Sequence, residues 1–305
     1  MARLQETGVG TSELFATAMS AFEDPQLGIV RALDVTDKAA VELLISGVNP
    51  THVVNLAGLA ATAHASANAW LAWQVHLFGA LNVGHAILNH APRCVMINIS
   101  SGQVYGGSGQ AGRSMDEATL LVPTNCYEVT KAAADLAIGA LTLKGLASIR
   151  FRPFNHSGPG QTEDFVMPSF AMQIARIEAG LQAPVVRVGN LDAERDFLDV
   201  RDVAEAYALG LAKSADIAPG TILNVASGVP RRIQSVLDGL IALSRVPITI
   251  ETDPARMRPS ETPRFVGDAS LAKRLLGWSP AIAFEATLAE VLDDCRARVA
   301  AGLPT

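Results

Sequence analysis

The sequence predicts an α/β protein: a Rossmann-type doubly wound parallel sheet joined to a smaller α/β part. Three observations carry this. Mostly apolar runs recur at 52–56, 95–99 and 146–151, and each leads into small or polar residues. Such runs read as strands buried on both faces. Segments with apolar spacing of three and four, at 70–90 and from Tyr127 onward, read as helices between them. Strands alternating with helices need right-handed crossovers, which build a parallel sheet covered on both sides.

Each element follows from its local chemistry. Residues 1–22 hold closely spaced glycines, Gly8 and Gly10, after Thr7. Thr11 or Ser12 with Glu13 then predicts a capped helix running to about residue 22. Residues 28–37 read as a strand ending in an acidic turn, with a helix over 37–46. The run 52–58 ends in Ala57 and Gly58, small enough for another backbone or a ligand to come close. Residues 60–68 are small in side chain, and 70–90 read as one long helix containing His76. His76 reads as a packed or hydrogen-bonded helix residue.

The chain is organised around residues 95–131. The strand 95–99 runs into Ser100-Ser101-Gly102-Gln103-Val104-Tyr105-Gly106, and Tyr127-Glu128-Val129-Thr130-Lys131 opens an Ala-rich helix. In an open α/β sheet, ligands bind at the carboxyl ends of strands, where Ser101 falls. Tyr127 and Lys131 at i, i+4 share a helix face. An ammonium beside a phenol favours the ionised form, and a Ser hydroxyl can bond the same oxygen, so the three are candidate catalysts of proton transfer to a carbonyl.

Composition narrows the classes of function. The 305 residues are 49% hydrophobic and 18% charged, so a sizeable core forms. A net charge of −6 without a long basic run argues against nucleic acid as a partner. No run of 18 apolar residues suggests a membrane span, and the first residues carry no apolar signal core. Three cysteines suggest neither a disulfide framework nor a metal cluster, and the expected location is a reducing cytoplasm.

SSGQVYG followed by YEVTK resembles the extended short-chain dehydrogenase/reductase family, which works on nucleotide sugars. Three further blocks resemble one branch, the GDP-4-keto-6-deoxy-D-mannose reductases and their close relatives. These are RPFNHSGPGQ at 152–161 with the segment to 178, VGNLDAERDFLDVRDV at 188–203, and DPARMRPSE at 253–261. The resemblance implies a nicotinamide cofactor, NAD or NADP, met by Gly8, Gly10, Asp34, Val35, Ala57, Gly58, Tyr127 and Lys131. The glycine region is atypical: the family pattern resembles TGxxGxxG, Gly10 stands one position early, and the later glycines fall on Thr11 and Leu14. Arg31 would suit a 2′-phosphate without deciding between the two cofactors.

The resemblance further implies a GDP-sugar substrate bound by Gln103, Asn155, Arg195, Arg258 and Glu261. Arg195 and Arg258 offer planar forks for phosphate oxygens. Ser101, Tyr127 and Lys131 would be catalytic. Family dehydratases carry an acid beside the Ser or Thr; Gln103 stands there, and an amide is no acid or base near neutral pH, which argues for plain carbonyl reduction. Residues 1–160, with 190–225 returning, are expected to hold the cofactor, and 161–189 with 226–305 the nucleotide sugar. Family relatives pair the helix around 70–90 with the one after Tyr127, so the resemblance implies a homodimer. Two alternatives stay open: an epimerase with tightly held NAD, and a non-catalytic nucleotide-binding relative with a degraded glycine motif.

Overall fold

The computed structural model describes residues 13–257 and 262–302. Strands β1 (Thr17–Ala18), β2 (Phe22–Asp24) and β3 (Gly28–Ala32) form a small sheet in the order β1-β3-β2. The expected helix ending near residue 22 is therefore corrected to extended chain and a hairpin. The Asp24 carboxylate accepts the Gln26 and Leu27 N–H groups at 2.8 and 2.9 Å, and Gly28 takes a φ of 70°. This side chain-to-backbone turn folds Phe22–Asp24 back on β3 in antiparallel register. Helix α1 (Lys38–Val48) starts at Asp37, whose carboxylate accepts the Ala40 N–H.

Next come β4 (His52–Asn55), α2 (Thr62–Ala67), α3 (Ala69–Ala72), a π-helical segment (Trp73–Gly79), α4 (Ala80–His90) and β5 (Val95–Ile99). The single helix expected over 70–90 is thus interrupted by wider π-helical winding. Then follow α5 (Cys126–Thr142), β6 (Ala147–Pro153), β7 (Asn155–Ser157), α6 (Val166–Glu178), β8 (Val185–Val188), β9 (Glu194–Asp199), α7 (Val200–Ala212) and β10 (Thr221–Val225). The last elements are β11 (Pro230–Arg232), α8 (Ile233–Ala242), β12 (Thr249–Thr252), β13 (Arg264–Phe265), α9 (Ser270–Leu276) and α10 (Phe284–Ala300).

The main sheet has the order β10-β6-β5-β4, all parallel. Successive strand residues point to opposite faces, and β5 shows both. Met96 packs with Val83 and Ile87 of α4 and Ile138 and Leu141 of α5. Ile97 packs with Val203 and Ala206 of α7 and Leu276 of α9. Both faces are therefore covered, the doubly wound arrangement that the apolar runs predict. A separate core unites α6, α8 and α10 with β8 and Phe197 of β9. Strand β9 pairs with β7, β11 and β13, outside the main sheet.

Three aspartates organise the 196–202 loop. Asp196 accepts from Ser227, Gly228 and Gly267; Asp199 caps α7; Asp202 accepts the Ala281 and Ile282 N–H groups. No described helix is long and apolar enough to cross a membrane.

Candidate active site

The site forms at the carboxyl end of β5. Helix α5 is started by Asn125, whose side chain accepts the Glu128 N–H at 3.1 Å, while Glu128 reaches back to the Thr124 N–H at 2.7 Å. This reciprocal cap fixes the first turn. It places Tyr127, Lys131 and Asp135 at i, i+4 and i+8 along one face, all buried. Ser101 ends the β5 segment and caps a 3-10 turn, Gly102–Tyr105, accepting the Gln103 N–H at 3.1 Å. Gly106 closes that turn at a φ of 47°, where a Cβ would lie 2.1 Å from the Val122 carbonyl oxygen, so only glycine fits.

Ser101, Tyr127 and Lys131 are brought together. The Ser101 hydroxyl lies near enough to the Tyr127 phenol to influence its ionisation, and Lys131 Nζ donates to the Ile99 carbonyl at 3.1 Å. Their electrostatics differ from the sequence expectation. Burial raises the Tyr127 pKa, the Ser101 hydroxyl opposes this, and the nearby Glu128 carboxylate adds to the rise. Lys131 itself is lowered to about 8 by burial, with the Asp135 carboxylate acting against that. With the ammonium turned toward the end of β5, its charge goes to that carbonyl, not to the phenol.

A buried ionic cluster beneath Lys131 escaped the sequence reading. Asp135 accepts from Arg150 Nη1 at 2.8 Å, and from Arg152 Nε and Nη2 at 3.0 and 2.9 Å. Arg152 Nη1 also donates to the Tyr105 hydroxyl, which donates to Asn224. The signal was present: two arginines two apart in an otherwise apolar strand share one face, and Asp135 lies one helical turn beyond Lys131.

Of the residues expected to meet a nicotinamide cofactor, those described lie at turns 34–37 and 57–58 and on α5. The Asp34 carboxylate accepts from the Thr36 N–H and hydroxyl, shaping the 34–37 turn, and Val35 lies against Gly79. The small residue Gly58, after Ala57, borders Lys131; a Cβ on Gly58 would come to 3.2 Å from Nζ. Ser100 Oγ, buried beside Ser101, has no hydrogen-bond partner. Gly8 and Gly10 lie outside the described residues.

At the other end, Gln103 and Asn155 are half-buried, and Asn155 begins β7 beside β9. Arg195 lies on β9 and donates to the Glu194 and Thr262 carbonyls. Arg258 and Glu261 lie outside the described residues, but the Thr262 bond carries Arg195 to the end of that segment. His76, read from sequence as a packed or hydrogen-bonded helix residue, touches both turn 57–59 and α5.

A parallel sheet with a Ser, a Tyr and a Lys gathered at one strand end defines a Rossmann-type fold of the short-chain dehydrogenase/reductase kind. The sequence profile of the GDP-mannose 4,6 dehydratase family matches residues 9–291, and the chain belongs to that family. It is 37% identical over 251 residues to a GDP-6-deoxy-D-mannose reductase of Pseudomonas aeruginosa, covering 82% of each chain. Among solved structures it resembles RMD from Pseudomonas aeruginosa complexed with NADPH, at 33% identity and a TM-score of 0.81 over 88% of each chain. It also resembles a putative epimerase from Burkholderia cenocepacia J2315, at 27% identity and a TM-score of 0.84 over 97% of this chain and 93% of that one.

Proposed function

We propose that the protein reduces the C4 ketone of a GDP-4-keto-6-deoxyhexose to the alcohol, giving a GDP-6-deoxy sugar of the GDP-D-rhamnose type, with NADH or NADPH. The observation that carries this is the approach of Ser101 to Tyr127, with Lys131 one turn further along α5, at the carboxyl edge of a parallel sheet. The named reductase relative supports the substrate class. Gln103, an amide where dehydratases carry an acid, supports reduction without loss of water.

A bound reduced nicotinamide supplies the hydride to C4. Asp34, Val35, Ala57 and Gly58 would line its adenine and ribose ends, with Gly8 and Gly10 toward the pyrophosphate. Ser101 orients the carbonyl by a hydrogen bond to its oxygen. Tyr127 gives its phenolic proton to that oxygen as charge develops, and Lys131, held at the Ile99 carbonyl, would bind the nicotinamide ribose. Asn155, Arg195, Arg258 and Glu261 would hold the nucleotide diphosphate, with Gln103 beside the sugar. Residues 1–160 with 190–225 form the cofactor part, and 161–189 with 226–305 the substrate part. Two copies pair through exposed Trp70, Phe78, Leu136 and Leu143. The setting is a reducing cytoplasm, in keeping with three free cysteines.

Calorimetric titration with NADH and NADPH, followed by NADPH oxidation on a small panel of 4-keto sugars, tests the proposal. Binding of one nicotinamide and its oxidation only with GDP-linked ketones is expected. Copurified NAD with no net consumption would favour an epimerase. No binding of either would favour a non-catalytic relative.

A further inference from the structure

His76 sits inside the π-helical segment and is buried. Both of its ring nitrogens are engaged. The Leu59 backbone N–H donates to Nε2 at 2.9 Å. A backbone amide only donates, so Nε2 carries a lone pair and no proton. Nδ1 lies 2.8 Å from Thr130 Oγ1. The single proton of that hydroxyl is directed to the Cys126 and Tyr127 carbonyls, at 2.9 and 3.0 Å, so the oxygen accepts from Nδ1–H. The hydrogen bonds therefore define a neutral imidazole protonated on Nδ1.

The two partners flank the catalytic pair. Leu59 follows Gly58, and a Cβ at Gly58 would press on both Lys131 Nζ and the His76 ring. Leu59 also packs against Tyr127. Thr130 lies between Tyr127 and Lys131 on α5, and the His76 ring meets the Tyr127 ring edge-on at 5.6 Å. π-helical turns often mark functional sites because they re-aim one side chain out of regular phase. We infer that His76 is a positioning residue: as a neutral imidazole it clamps turn 57–59 to the Tyr127–Lys131 helix. This rests on the reduction proposed above, for which the clamp would hold phenol and ammonium in register.

Protonating Nε2 would break the Leu59 bond and add a cation beside Lys131. Burial and that charge hold His76 down to about 4. From α5 the titratable groups facing it are Tyr127 and Lys131; turn 57–59 offers backbone, and Glu128 is turned to Thr124.

The test compares His76→Gln, His76→Phe and the wild-type protein. A glutamine amide both accepts and donates; phenylalanine keeps the bulk and does neither. Because small misplacements at a reacting centre are costly, His76→Phe should lower kcat/KM for NADPH-dependent reduction about tenfold or more, and His76→Gln should recover most of it. Nitrogen-15 NMR of the wild-type histidines should show His76 Nε2 unprotonated and not titrating between about pH 5.5 and 8. A His76 that titrates near 6.5, or Gln and Phe variants that fold and lose equal activity, overturns the clamp. If the Phe variant does not fold, the wild-type spectrum and the Gln variant decide. A wild-type protein that reduces no 4-keto sugar yet shows the fixed tautomer sinks the reductase reading and supports the clamp.

Discussion

Arg152 grips Asp135 with two nitrogens, Nε to one carboxylate oxygen at 3.0 Å and Nη2 to the other at 2.9 Å, in a site where both side chains are almost fully buried. Arg152 belongs to β6 and Asp135 to the helix that carries Tyr127 and Lys131. The pair therefore docks the catalytic helix on the sheet, and through Tyr105 it also reaches the turn that follows Ser101. A bidentate guanidinium–carboxylate contact adds directionality to charge.

Asp135→Asn removes the counter-charge of two buried guanidinium groups. Breaking a buried pair by losing one partner costs about 3–5 kcal/mol. Urea unfolding should show a loss of that order, and a change below about 1 kcal/mol would contradict the burial argument.

The pH dependence should report Lys131. Its folded pKa of about 8 lies below the ordinary 10.5. Between those values the unfolded chain binds more protons, so the contribution of Lys131 to stability rises with pH across that window and is constant below about 8. Activity that needs the ammonium falls over the same range. The alkaline limb of kcat/KM should sit near 8, and Asp135→Asn should move it lower, since Asp135 raises Lys131.

Tyr127→Phe removes the proton donor while keeping the ring. A positioned general acid contributes about 10²–10⁴-fold, so kcat should fall by that order with GDP-sugar affinity nearly unchanged in calorimetry. Unaltered turnover would assign the proton to another group.

Gly106→Ala places a methyl group against the Val122 carbonyl and the Glu128 carboxylate, in a backbone region that only glycine adopts readily. A destabilisation of about 2–3 kcal/mol is expected in thermal unfolding. A neutral effect would mean the turn can move without cost.

Leu136 is 58% exposed and Leu143 92% exposed, both on α5 or just after it. Leu136→Glu puts a charge into the proposed dimer contact. Light scattering should then give a monomer where the unaltered protein gives a dimer; a dimer in both would place the interface elsewhere.

The sheet was readable because its strands are buried on both faces and so are written as mostly apolar runs. Ser101, Tyr127 and Lys131 were readable because chemistry and spacing coincide there. The segment to residue 22 was misread as helical, since the Asp24 turn and the pairing with β3 depend on contacts across the hairpin that local propensity does not encode. His76 looked like an ordinary helix residue because apolar periodicity cannot register a π-helical turn. The Asp135 cluster was overlooked because Arg150 and Arg152 lie within a strand judged by its apolar neighbours.

The widened winding at Trp73–Gly79 sets the rotational phase between everything before it and everything after it. An α-helix advances about 100° per residue. Deleting one residue there would relax the coil to regular pitch and swing the upstream half, Trp70 included, around the axis relative to α4. The surface offered to a second subunit and the aim of an interior imidazole are thus geared together by one surplus residue.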